Sequence, residues 1–178
     1  MQDPRTQDGG AGFGQAPQTD GRALRRALGQ FATGVTVVTT RAPDGRFVGL
    51  TVNSFSALSL QPPLIVWSLR RASASLDAFE RTERFVVNVL AEGQVEASRL
   101  FASSTASDDR FAQIAHAENR DGLPFLHGAA AWFACRTVAR HDGGDHRLYV
   151  AEVERFESSD TPPLLFHGGA YHALGSRL

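Results

Sequence analysis

The chain has 178 residues, 18 of them basic and 19 acidic, and a net charge of −1. This length suits one domain that buries its own core, and the balanced charge disfavours nucleic-acid binding, which needs clustered Lys and Arg. Every basic residue other than His is Arg, which excludes Schiff-base chemistry and lysine-containing phosphate loops. The single cysteine, Cys135, excludes an internal disulfide and a thiolate zinc site, and no metal site is predicted.

The first 19 residues are rich in Gly, Gln, Asp and Pro and poor in large apolar side chains. Such a segment cannot offset its ordering entropy by burial. We therefore predict a disordered tail over residues 1–19 and a folded domain over residues 20–178. No apolar stretch is long enough to cross a bilayer, and the N-terminus lacks the basic-then-apolar order of a secretory signal. We expect a cytoplasmic protein that does not associate with membranes.

The first predicted element is a helix that begins at Asp20 and ends at Gly34. Apolar residues recur at helical spacing between these two positions: Leu24, Ala27, Leu28 and Phe31. The β-branched run at 35–40 predicts a strand, and 46–52 is its predicted hairpin partner after a turn at 43–45. Residues 58–63 are predicted to form a connection into an apolar strand at 64–69.

The second half of the chain predicts more strands than helices. Ser73 or Ser75 can cap a short helix that turns Leu76 and Phe79 inward, and a second short helix is predicted over 95–101. Strands are predicted at 85–90, 129–140, 147–156 and 164–167, with a hairpin turn at 142–145 and a polar loop at 103–125. Short connections between strands favour an antiparallel sheet that closes into a barrel.

Polar side chains are concentrated in two stretches that hairpin geometry can bring together at one end of the barrel. The first contains Thr51, Asn53 and Ser54; the second contains Ser68, Arg70, Arg71, Ser73 and Ser75. A phosphate is bound by hydroxyls, by backbone N–H groups at a helix start and often by a guanidinium, and the second stretch offers all three. From the residues alone another interpretation stays open, in which the serines cap the helix and the arginines are solvated.

Several short motifs follow one another in a distinctive order and spacing. They are LGQFATGVTVVTT at 28–40, GLTVNSF at 49–55, SLQPPL at 59–64, FVVNVL at 85–90, GDH at 144–146, PLLF at 163–166 and Tyr171. Together they resemble the flavin reductase-like domain family, the small reductase components of two-component flavin monooxygenases. The resemblance implies a mainly β fold with short helices, an antiparallel Greek-key split β-barrel of the FMN-binding type, and a homodimer with flavin near the subunit interface.

The resemblance also implies which residues contact the flavin and the hydride donor. The flavin ring and ribityl chain would lie against the 49–54 strand end and, largely through backbone groups, against the 68–70 segment: Gly49, Thr51, Asn53, Ser54, Ser68, Leu69 and Arg70. The phosphate would meet Ser75 with Arg71 or Ser73, and Phe101 would border the flavin. Asp145 and His146 would lie where the nicotinamide docks, with His146 as the catalytic candidate, and His167 and Tyr171 would face flavin or donor.

The implied activity is hydride transfer from NADH or NADPH to FMN or FAD, with the reduced flavin passed to a separate monooxygenase. Three alternatives stay open at this point. The same fold could serve as a non-catalytic flavin-binding electron carrier or sensor, or could catalyse another reaction on a flavin. A barrel that binds oligonucleotides is the third, and it predicts a basic face with exposed aromatic residues, which the balanced charge disfavours.

Overall fold

The computed structural model describes residues 20–103 and 110–177 of the chain. The tail predicted over residues 1–19 lies outside these described residues. Within them, no helix combines the length and the apolar character that a membrane span requires.

Helices and strands follow one another with these bounds: α1 Gly21–Leu28, β1 Thr33–Gly34, β2 Thr36–Arg41, β3 Phe47–Val52, β4 Ser56–Leu60, β5 Pro63–Arg70, α2 Leu76–Arg81, β6 Arg84–Val89, α3 Val95–Ala102, a 3-10 turn Phe111–Gln113, β7 His116–Glu118, β8 Pro124–Leu126, β9 Ala131–Gly143, β10 His146–Ser158, β11 Leu165–His167 and β12 Ala170–His172.

Seven of the strands form one antiparallel sheet in the order β3-β2-β6-β9-β10-β5-β4. The sheet curls around a core to which β2, β5, β6, β9 and β10 all contribute, centred on the fully buried Trp67 and Tyr149, whose rings stack 4.6 Å apart. Curling brings the end of β3 to β5, where Ser54 hydrogen-bonds Ser68. Among residues 20–103 and 110–177, β3 pairs with β2 alone, so its other edge is unpaired there, and the predicted split β-barrel is confirmed.

A second apolar cluster lies outside the barrel wall and fixes α3 against β3. It contains Val37, Leu90, Phe101, Phe111 and Leu164, and Phe101 is only 2% exposed. The three-stranded sheet β1-β11-β12 and the β7–β8 hairpin complete the described fold.

One polar side chain lies at the centre of the wall between these layers. Asn88 in β6 is fully buried; its Nδ2 donates to Val37 O at 2.9 Å, and its Oδ1 accepts from the Leu126 backbone N at 2.8 Å. Asn88 therefore ties the main sheet to β8 and satisfies backbone groups that water cannot reach.

Four sequence-based element predictions differ from the structure. The first helix does begin after the cap Asp20, but it ends at Leu28 rather than Gly34, and none of its residues is buried. The predicted connection at 58–63 overlaps an edge strand, β4, and the predicted 103–125 loop contains the 3-10 turn and most of the β7–β8 hairpin. Strand β9 continues to Gly143, because polar residues at its end still pair with β10.

Candidate functional site

A cleft with a volume of about 240 Å³ opens where the ends of β3 and β5 meet the start of β10. Ten residues line it: Leu50, Thr51, Val52, Asn53, Ser54, Ser68, Leu69, Arg70, Ser73 and His146. All of them except Leu50 and Val52 are among the residues predicted from the sequence. Those two flank Thr51 on β3, and strand alternation places them on the opposite face, against the barrel core, so no sequence signal marks them as cleft residues.

Two hydroxyl side chains build the walls of this cleft. Ser54 Oγ donates to Ser68 O at 2.9 Å and accepts from Ser68 N at 3.0 Å, and so it takes the place of a strand partner for β5. Thr51 Oγ1 donates to Ser98 O at 2.7 Å, which anchors the end of β3 to α3. These bonds hold the two strand ends at a fixed separation.

Other polar groups at the cleft are left for a ligand. Among the described residues, the Asn53 amide and the Arg70 guanidinium are exposed and make no hydrogen bond or ion pair. Ser73 Oγ accepts from Ser75 N at 3.2 Å, which leaves its own proton available to donate. A cation, an amide and a hydroxyl donor at one cleft are a donor set that suits a phosphorylated, hydrogen-bonding ligand such as a flavin nucleotide.

Arg71 points away from the cleft, unlike its neighbour. Its guanidinium pairs with Asp142, and its Nε donates to Gly144 O at 3.2 Å. Its backbone N donates to Asp145 O at 2.9 Å. The structure thus joins Arg71 to the β9–β10 hairpin, whereas the resemblance implied that either Arg71 or Ser73 accompanies Ser75 at the flavin phosphate.

The β9–β10 hairpin brings His146 to the cleft opposite β3. Gly144 has φ +67°, which suits the first central position of a two-residue turn, and His146 pairs in register with Arg70. His146 Nδ1 lies 2.7 Å from Asp145 Oδ1, and this hydrogen bond lowers the pKa of Asp145 below its usual value of 3.8. An ionised Asp145 fixes the orientation of the imidazole and leaves Nε2 uncommitted.

A second cavity of about 310 Å³ continues along the open edge of β3. Gly49 and Ser75 line it together with Arg46, Arg81 and Arg110. Two of these arginines pair with nearby carboxylates, and Arg110 Nη1 donates to Gly49 O at 3.2 Å. The Ser73–Ser75 turn therefore lies between the two cavities.

Besides Arg71, three predicted residues lie away from the cleft. Phe101 is buried behind Gly49, where a Cβ on residue 49 would come within 2.7 Å of Phe101 Cε1. The Tyr171 hydroxyl lies 2.8 Å from Ser98 Oγ, so it reaches the cleft only through α3. The His167 ring contacts that of His172 at 5.9 Å on the small sheet. In residues 20–103 and 110–177, no three His, Cys, Asp or Glu side chains are grouped to hold a metal ion.

Comparison with known proteins identifies the family of this chain. The pattern described as "Flavin reductase like domain" matches residues 28–175, which is most of the chain. The chain belongs to the flavin reductase-like domain family. "FMN reductase (NADH) SmoA" of Agrobacterium fabrum is 44% identical over 151 residues, which cover 84% of each protein.

Two further similarities bear on function. The reductase component of the flavin-dependent trigonelline monooxygenase of Acinetobacter baylyi is 43% identical over 150 residues, which cover 84% of this chain but 48% of that protein. This chain thus spans about half the length of that relative. The structure of the NADH:FAD oxidoreductase SgcE6 of Streptomyces globisporus, in complex with NAD and FAD fragments, superposes with a TM-score of 0.83 at 33% identity, covering 90% of this chain and 98% of SgcE6.

Proposed function

We propose that this protein is an NAD(P)H-dependent flavin reductase that transfers hydride from NADH to FMN or FAD. The observation that carries the proposal is the cleft itself, where uncommitted polar groups of β3 and β5 face His146 on the β9–β10 hairpin. A bound flavin supplies the hydride-accepting chemistry, so the protein need only bind, orient and exclude water. The cleft has few ionisable groups, which agrees with a protein that binds and orients the flavin rather than one that transfers protons.

The phosphate end of the flavin is proposed to lie at the Ser73–Ser75 turn. Arg70 is the cation available there, since Arg71 is held by Asp142. Ser73 and Ser75 add hydroxyl donors, because neither hydroxyl donates a hydrogen bond within the described residues. Thr51, Asn53, Ser54 and the 68–70 backbone are proposed to hold the ring and ribityl portions.

Comparing FMN with riboflavin tests this orientation, because riboflavin lacks the phosphate. An Arg70→Gln variant is expected to bind FMN on the order of tenfold more weakly, the loss of one charge-assisted hydrogen bond, and to bind riboflavin as the wild type does. Ser75→Glu should act in the same direction by placing like charge against the phosphate. Equal losses for both flavins would place the phosphate elsewhere.

His146 is proposed to lie on the nicotinamide side. Its ring hydrogen-bonds Asp145 and lies across the cleft from β3. A protein lowers the barrier of hydride transfer by orienting the nicotinamide and flavin rings, because a fixed geometry replaces a random encounter.

Steady-state oxidation of NADH in the presence of excess FMN tests the activity. The proposal predicts that absorbance from NADH falls over many turnovers with saturable dependence on free flavin, and that FAD and NADPH can be ranked in the same assay. Flavin binding without NADH oxidation would instead identify a non-catalytic carrier or sensor. Because the Acinetobacter baylyi relative is named as the reductase component of a flavin-dependent monooxygenase, we propose that reduced flavin leaves for a separate monooxygenase.

A homodimer is also proposed, and an exposed apolar surface around edge strand β4 supports it. Leu60 is 90% exposed and pairs with Pro63, which lines an open groove with Trp132 and Phe156. Exposed apolar edge strands promote association, so a second copy is the expected cover. Leu60→Asp should shift the mass measured by light scattering from dimer to monomer, whereas Leu174→Asp, at another exposed leucine, should not. A monomeric wild type would refute the dimer.

A further inference from the structure

A chain of charged side chains runs from the β9–β10 hairpin to helix α2. Arg71 and Arg147 both pair with Asp142, and Arg147 also pairs with Glu80, its Nε lying 3.0 Å from Glu80 Oε1. We call Arg71, Asp142, Arg147 and Glu80 the hairpin clamp. It joins two parts of the chain that are distant in sequence: the region from the end of β5 to α2, and the β9–β10 hairpin.

The inner end of the clamp is rigidly supported. Glu80 Oε1 accepts from the hydroxyl of Tyr149 at 2.9 Å, and Tyr149 is fully buried and stacked on Trp67. Partial burial raises the pKa of Glu80, but the hydrogen bonds from Arg147 and Tyr149 outweigh it and leave that pKa below its usual value of 4.5. Glu80 is therefore an anion anchored to the barrel core.

The other end of the clamp, Arg71 and Asp142, contacts the turn that precedes His146. Arg71 contacts this hairpin at three points: the Asp142 carboxylate, Gly144 O and, through its backbone N–H, Asp145 O. A two-residue turn that projects from a sheet end has few apolar contacts of its own. Charged contacts on both of its strands restrict its motion relative to the cleft.

We propose that the hairpin clamp consists of positioning residues, which hold His146 at the distance from β3 that the hydride donor requires. None of the four side chains lines the cleft, so each acts on the reaction through the hairpin. The Arg99–Glu96 pair, by contrast, lies within one helix and cannot fix one segment against another. The expected effect on the reaction with NADH rests on the proposed reductase function. The expected effect on the motion of the hairpin rests on the contacts alone.

Asp142→Asn tests the clamp with little change in shape, because it removes the charge that both arginines share. Glu96→Gln is the matched control, since it removes an exposed carboxylate paired with an arginine away from the hairpin. Hydrogen exchange by mass spectrometry, without flavin or donor, should show faster exchange at residues 71 and 143–147 in Asp142→Asn, on the order of tenfold. The control should exchange as the wild type does.

Kinetics separate positioning from a general loss of structure. Asp142→Asn should raise the KM for NADH on the order of tenfold while the flavin Kd and the Tm stay near wild type. Arg71→Met should reproduce this pattern, and Arg71→Lys should restore part of it by keeping a charge near Asp142. Unchanged exchange and unchanged KM would overturn the proposal, as would parallel losses of flavin affinity and donor KM together with a lower Tm. If the wild type does not oxidise NADH, the proposed function fails, and the exchange result alone decides whether the clamp holds the hairpin.

Discussion

Substitution of Gly49 by Ala should destabilise the protein by overpacking. A Cβ on residue 49 would lie 2.7 and 2.9 Å from two ring carbons of Phe101 and 3.3 Å from Thr39 Cγ2. Carbon atoms prefer separations of about 3.5–4.0 Å, so the Phe101 ring would have to move by roughly 1 Å. Phe101 is buried and packs against Phe111 at 5.2 Å between ring centres, so it has little space to move into. Overpacking of this kind costs about 1–3 kcal/mol.

Urea and thermal unfolding measure this loss. In a domain of this size, each kcal/mol corresponds to a fall in Tm of about 2–4 °C. Phe101→Leu alone should also destabilise the protein, because it leaves a cavity. In the double variant the methyl group introduced by Gly49→Ala occupies part of that space. The loss of stability in the double variant should therefore be smaller than the sum of the two single losses, by a coupling energy of about 0.5–3 kcal/mol.

The same pair of variants shows how Gly49 and Phe101 affect flavin binding. Neither residue lines the Thr51–His146 cleft, so any loss of flavin affinity in Gly49→Ala should come from displacement of β3 and should recover in the double variant. Wild-type stability of Gly49→Ala, or strictly additive losses in the double variant, would refute this packing argument.

Three further predictions concern other parts of the molecule. His146→Ala should raise the KM for NADH on the order of tenfold with little change in flavin Kd, and wild-type rates at subsaturating NADH would contradict the assignment. Asn88→Ala should lower the free energy of unfolding by several kcal/mol, because each buried backbone group left without a partner costs about 1–3 kcal/mol. Asn53→Ala, at the exposed cleft, should change the free energy of unfolding little, and urea unfolding of both variants compares them. Because the folded-state pKa of Glu80 lies below 4.5, its ionised form stabilises the protein above pH 4.5, and this contribution is lost as the pH falls through the folded-state pKa. Unfolding measured against pH should therefore show wild type and Glu80→Gln converging in acid, and a constant gap between them would count against the assignment.

Much of the barrel could be predicted from the sequence because its strands have strong local signals. The runs at 64–69 and 85–90 are apolar or β-branched at all but one position each, and both overlap strands of the central sheet. Edge strand β4 has no such signal, because its sequence SALSL contains no β-branched or aromatic residue and lies, mostly exposed, next to a proline pair. For α1, helical spacing of apolar residues indicated a buried face, yet Leu28 and Phe31 are 67% and 78% exposed, so the described chain offers that face no partner.

The candidate site was predictable where short-range geometry determines it. Thr51, Asn53 and Ser54 lie at one strand end and Ser68 at another, and a hairpin barrel brings such ends together. The direction of Arg71 was not predictable, because its partner Asp142 is 71 positions away and meets it only once β9 has extended beyond its predicted end. The burial of Phe101 behind β3 was not predictable for a similar reason, since it depends on the absence of a side chain at the distant Gly49.

The central claim, reduction of flavin by a nicotinamide at the Thr51–His146 cleft, is tested most directly by anaerobic stopped-flow mixing of protein-bound FMN with NADH. We expect the visible absorbance of oxidised flavin to disappear together with an equivalent amount of NADH, and His146→Ala to slow this single turnover while still binding FMN. Flavin that binds but stays oxidised in the presence of NADH would contradict reduction at this cleft.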